Sequence, residues 1–98
     1  MMTVETLIYK VKEAARITTT AFDEQLTDLI IAAQMDLGIA GIVIPSSFDA
    51  LVSQAVITYC LMNFGLVDEY DRLKRSYDEQ KAQLMTATGY TNWGGLNV

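Results

Sequence analysis

Apolar side chains recur along the chain at intervals of three and four residues, the spacing that places them on one face of a helix. The first run holds Val4, Leu7, Ile8, Val11 and Ala15. Thr3 stands where it can cap that run, and Lys12 and Arg16 lie in its last turn, where cations suit the helix dipole. Thr18, Thr19 and Thr20 break the pattern, because β-branched residues with competing hydroxyls favour a turn. Thr20 and Asp23 then resemble a capping box with Asp in place of Glu, opening a second helix with the stripe Phe22, Leu26, Leu29, Ile30, Ala33 and Leu37. Gly38 is the expected stop. Ile31 and Met35 fall off the stripe, so this helix is expected to meet two neighbours.

Ile39 to Pro45 reads IAGIVIP, an apolar stretch closed by a proline that no helix can run through. A short extended segment or hairpin arm fits it, and its apolar side chains must be covered either by the chain's own core or by another subunit. Ser46 or Ser47 is expected to cap a third helix from Phe48 to Phe64, apolar nearly all round and so packed on several sides. Gly65 ends it. A fourth helix is expected from Asp68 to about Thr86, with Tyr70, Leu73, Tyr77 and Leu84 buried. Asp68–Arg72 and Asp71–Arg75 are its expected i,i+4 ion pairs. The fold class that follows is all-α: a four-helix domain over residues 1–89, with a short first helix and long second, third and fourth ones, an apolar loop between helices two and three, and an extended C-terminal tail over 90–98.

That tail, Tyr90 to Val98, has no charged side chain and holds the only tryptophan. It is expected to dock, on its own domain or on a partner. Between Asp49 and Asp68 no charge occurs either, over a length close to a bilayer span. Ser53, Gln54, Thr58, Asn63 and Gly65 interrupt it and no basic residue flanks it, so a central helix explains it better than a membrane helix. Glu5 follows the start almost at once, and no signal peptide is expected.

Composition narrows the chemistry. Hydrophobic residues make up 51% of the 98, a slight apolar surplus for one small domain. Twelve acidic against seven basic residues give a net charge of −5, the wrong balance for neutralising several phosphates. An acidic surface would instead let DNA slide past without sticking. Cys60 is the only cysteine and falls in an apolar helix, where an inert buried thiol is expected. Histidine is absent, which removes the commonest general base and metal ligand. No glycine-rich phosphate loop occurs. Asp68, Glu69 and Asp71, like Asp23, Glu24 and Asp28, open helices and read as partners of the helix dipole. We therefore expect no enzyme, no cofactor and no metal.

The order of segments resembles a known family. Ala14-Ala15-Arg16-Ile17, then Phe22-Asp23-Glu24-Gln25-Leu26 leading into Leu29-Ile30-Ile31-Ala32-Ala33, then an apolar helix followed by a charged one, are similar to tailed-bacteriophage head–tail connectors, or adaptors. The most particular stretch is Ser76-Tyr77-Asp78-Glu79-Gln80-Lys81-Ala82-Gln83-Leu84 with Gly89-Tyr90-Thr91-Asn92-Trp93. The resemblance implies a virion protein that meets copies of itself in a ring, commonly dodecameric, below the portal protein, and that joins a downstream neck or tail-completion protein. DNA would pass through without sequence-specific binding, and before assembly the subunit would be in the host cytoplasm. It also implies that the loop and the tail reach protein partners, which makes Ile39, Ile42, Val43, Ile44, Tyr90, Asn92, Trp93 and Leu96 the candidate interface residues. The alternative is a small helical regulatory module with one protein partner. A DNA-binding helix–turn–helix is opposed by the charge.

Overall fold

Residues 2–64 and 67–90 are described by a computed structural model, in which four helices account for most of the chain and no strand occurs among the described residues. They are α1 (Val4–Ala15), α2 (Asp23–Ile39), α3 (Ala50–Asn63) and α4 (Tyr70–Thr86), with 3-10 turns at Val67–Glu69 and Thr88–Tyr90. Helix α3 is the hub. It packs most extensively on α4, then on α2 and α1, while α1 rests on α2 and α3. An all-round apolar helix is what such a position demands.

The core joins Leu7 and Val11 of α1, Leu26, Ile30 and Leu37 of α2, and Val52, Val56 and Cys60 of α3 to Leu73, Tyr77 and Leu84 of α4. Burial pushes the Cys60 thiol up to about 12, so it stays protonated and unreactive. Phe22 and Phe64 meet edge to face at 5.3 Å, as do Tyr59 and Tyr77.

Two helices close by the same device. Arg16 adopts a left-handed conformation (φ 59, ψ 40), Arg16 N–H bonds Glu13 O and Ile17 N–H bonds Lys12 O. At the end of α2 Gly41 takes φ 93, Gly41 N–H bonds Gly38 O and Ile42 N–H bonds Leu37 O. These paired bonds satisfy carbonyls that a helix end leaves open, and the residue after the left-handed one folds back onto the helix. That is why Ile17 packs against the core and Ile42 is part of it.

Several local expectations are corrected. Helix α2 runs through Gly38 to Ile39, because the positive φ that needs glycine falls at Gly41. Helix α3 begins at Ala50, capped by Asp49 and neither serine: the Asp49 carboxylate accepts from Val52 N–H at 3.0 Å, a stronger acceptor for a helix N-terminus than a hydroxyl. The N-cap of α2 is Phe22, with no side-chain bond, and Thr20 acts only through its backbone carbonyl. Tyr70 is exposed at the outer end of the α4 stripe. The ion pairs on this helix are Glu69–Arg72 and Lys74–Asp78, one turn each, rather than the pairs expected.

Gln34, Ser53 and Thr58 are the buried polar residues among those described, and Gln34 carries the largest of these side chains. Gln34 sits on the α2 stripe between Ile30 and Leu37, its Oε1 accepting from Met2 N–H (2.8 Å) and its Nε2 donating to Met2 O (3.1 Å). The pair of bonds ties the start of the chain to α2. Gln34→Leu is expected to cost about 1–2 kcal/mol in chemical denaturation, since it strips both partners from Met2 although the segment can swing into water. Unchanged stability would mean that the Met2 bonds contribute nothing.

Candidate protein-interaction surface

The eight residues proposed from sequence scatter over different environments. Ile39 is 84% exposed at the end of α2, and Val43 is exposed in the following loop. Ile42 is only 3% exposed, folded onto Leu37 by the helix closure, so it faces its own core. Ile44 is partly buried against that core. Tyr90 is held by its own chain: its carbonyl accepts from Val43 N–H at 2.6 Å and its hydroxyl donates to Asp49 Oδ2 at 2.8 Å. Donation to Asp49 is also the main reason that the Tyr90 phenol is shifted up. Asn92, Trp93 and Leu96 lie outside the described residues.

Around Ile39 the structure adds what the loop reading missed. Ile31 and Met35 are exposed (39% and 57%) and fall with Ile39 at i, i+4 and i+8 on one side of α2. Glu24 and Asp28, also exposed, continue the line toward the helix start. The result is a ridge, acidic at one end and apolar at the other, on the side of α2 away from its core residues. The spacing sets Ile31 and Met35 off the main stripe, but they do not pack on a second helix as expected; both face solvent. A second exposed apolar group gathers where α1 meets the start of α3. Tyr9 and Phe48 are both solvent-facing, and the Lys10 ammonium lies 5.5 Å from the Tyr9 ring and 5.0 Å from that of Phe48.

The titratable groups are held in structural contacts. Asp36 of α2 accepts from the Tyr77 hydroxyl (2.5 Å) and the Lys81 ammonium (3.2 Å) of α4. Burial pushes the Asp36 carboxyl up, but the Tyr77 bond and the charges of Lys81 and Lys74 outweigh it and hold it below the ordinary carboxylate range. Burial, then donation to Asp36, pushes the Tyr77 phenol up. Lys12 pairs with Asp23 at 2.8 Å and joins α1 to α2. Among the described residues no cluster of three His, Cys, Asp or Glu could hold a metal ion.

A further feature lies between α3 and α4. Leu51, Gln54, Gln80, Gln83, Leu84, Ala87 and Tyr90 line a half-open groove of about 340 Å³. The Gln80 Oε1 is buried with no hydrogen-bond partner among the described residues. An acceptor left so costs about 1–3 kcal/mol. No helix of the described residues is long and apolar enough to cross a membrane.

Exposed apolar ridges on a small helical scaffold define a protein-binding, structural class of domain. The sequence profile of the phage connector protein family matches residues 7–91 of the 98, and the chain belongs to that family. Its role is therefore structural, at the junction of phage head and tail, as a component of the particle. No curated protein and no solved structure matches the chain.

Proposed function

We propose that the chain is an adaptor subunit that assembles into a ring below the portal, extends the DNA channel and presents a surface to the next neck or tail component. The observation that carries this reading is the run Ile31, Met35 and Ile39, which a lone subunit leaves in water at increasing exposure toward the helix end. A ring contact needs more than about 1,000 Å² of total buried surface to persist. The α2 ridge with Val43 supplies one apolar flank for it, and the Tyr9–Phe48 pair supplies another. Two unlike flanks suit the head-to-tail contacts from which rings close. The net charge of −5 lets DNA pass the ring without adhering to it.

The test mixes the chain with the cognate portal protein and follows portal-bound species by native mass spectrometry and electron microscopy. Ile39→Asp should weaken that assembly at least tenfold, because a buried Ile contributes about 1.5–3 kcal/mol. The melting temperature of the free subunit should hardly move, Ile39 being solvent-facing. If the unaltered chain forms no portal-bound species, the adaptor reading is wrong. If Ile39→Asp assembles normally, the ridge is not the contact.

A further inference from the structure

The ridge on α2 changes character along its length. Glu24 and Asp28 stand in solvent in its first turns, and Ile31, Met35 and Ile39 follow toward its other end. That gradient opposes two copies pairing ridge to ridge. In parallel they would bring their carboxylates together; antiparallel they would press Glu24 of each copy toward Ile39 of the other. The first arrangement costs like-charge repulsion, and the second strips water from carboxylates that gain no partner. The ridge therefore calls for an unlike surface, apolar over most of its length and cationic at one end.

The chain carries that chemistry where α1 meets the start of α3. Tyr9 and Phe48 are exposed there, with the Lys10 ammonium over both rings. No ion pair engages Lys10, Glu24 or Asp28 among the described residues. Arg16 and Arg75 also lack one there, but neither lies over an aromatic ring. The other exposed apolar groups fit less well: Phe22 is engaged with Phe64, and Leu51 borders a groove that no described charge lines. We propose that the α2 ridge of one copy seats on the Tyr9–Lys10–Phe48 patch of the next, with Glu24 and Asp28 beside Lys10. Ile31, Met35 and Ile39 then run over the rings and the shallow depression beside them, lined in part by Ala14, Ala50 and Ile57. The two surfaces share no residue, so each copy can offer one to either neighbour, as a closing ring requires. Exposed ion pairs are weak, and Glu13 lines the same depression as Lys10. The charges therefore set direction and register, and the apolar contact supplies the affinity. The proposal rests on the adaptor reading and adds which surfaces meet.

Charge reversal on the cognate portal tests the pairing. Lys10→Glu, and separately Glu24→Lys with Asp28→Lys, should each raise the subunit concentration that fills the portal by at least about fivefold, because an attraction becomes a repulsion. All three changes together should restore filling to within about twofold of the unaltered chain, since the pairing is then reversed on both sides. The separate losses should shrink at high salt. Far-ultraviolet circular dichroism should not change, none of the three side chains being buried. Cross-linking reads the contact directly. Cys60 is buried and stays silent, so copies carrying Met35→Cys and copies carrying Tyr9→Cys, mixed on the portal, should couple to each other through a short bis-maleimide. Coupling of Met35→Cys copies among themselves overturns the proposal, as does a triple variant that stays defective. Filling that ignores Lys10→Glu sinks the pairing and leaves the adaptor reading intact. An unaltered chain that never binds the portal sinks both.

Discussion

Leu26→Ala is expected to destabilise the domain by about 2–5 kcal/mol, the range for emptying a fully enclosed leucine site. Leu26 has no exposed surface and belongs to the same buried cluster as Ile30 and Val56. In a domain of this size each kcal/mol moves the melting temperature by about 4–8 °C, so the melting temperature would fall by about 8–40 °C. Total stabilities of about 5–15 kcal/mol make the larger losses hard to survive. Leu29 offers the internal comparison. It lies on the same predicted stripe but is only partly buried against the core, and Leu29→Ala should cost less than half as much. Equal losses at the two sites would show that the enclosure of Leu26 is not what stabilises this end of the helix.

The second large effect is expected at Asp36. Asp36→Ala removes the acceptor of a Tyr77 hydroxyl whose residue is almost wholly buried, and takes a partner from Lys81. A buried donor left without its acceptor costs about 1–3 kcal/mol. Tyr77→Phe should cost less, because the carboxylate it abandons still meets Lys81 and water. With Asp36 already replaced, Tyr77→Phe should cost nearly nothing further, and additive losses would mean that the two groups are not coupled. The pair also sets a pH dependence. The folded-state pKa of Asp36 is lowered, so its contribution is present in full above the unfolded carboxylate value of about 3.9 and is lost as pH falls through the folded value. Stability measured from pH 6 downward should therefore decline more gently in Asp36→Asn than in the parent chain. Because the Asp36 side chain is 38% exposed, solvent screening keeps the difference modest.

Much of this architecture could be read from spacing. The four helices, the central position of α3 and the core stripe of α2 follow from apolar intervals, whereas Ile31 and Met35, expected against a second neighbour, are exposed. What resisted reading was local and polar. The choice of Asp49 over Ser46 or Ser47 as a cap depends on which residue's backbone turns extended, and three polar residues within four positions do not reveal that in sequence. Ile42 was grouped with its exposed neighbours because the closure of a helix around Gly41 is visible only once the left-handed residue is located. Gln34 could have been found, since a glutamine between Ile30 and Leu37 must be satisfied inside the core. The Asp36–Tyr77 contact joins helices 41 positions apart and leaves no local trace. Tyr70 shows a further limit: periodicity places it on the buried stripe, but a stripe is covered only as far as its neighbours extend.

Asp49 gives the chain a mechanical junction. One of its carboxylate oxygens caps the first turn of α3 and the other holds the Tyr90 hydroxyl, while the Tyr90 carbonyl is bonded to the loop in between. A pull applied at the C-terminal end is thus delivered sideways to the start of the hub helix. It loads the corner where the first turn of α3, the loop before it and the end of α4 meet, so strain there would reach α3 at its first turn as well as α4.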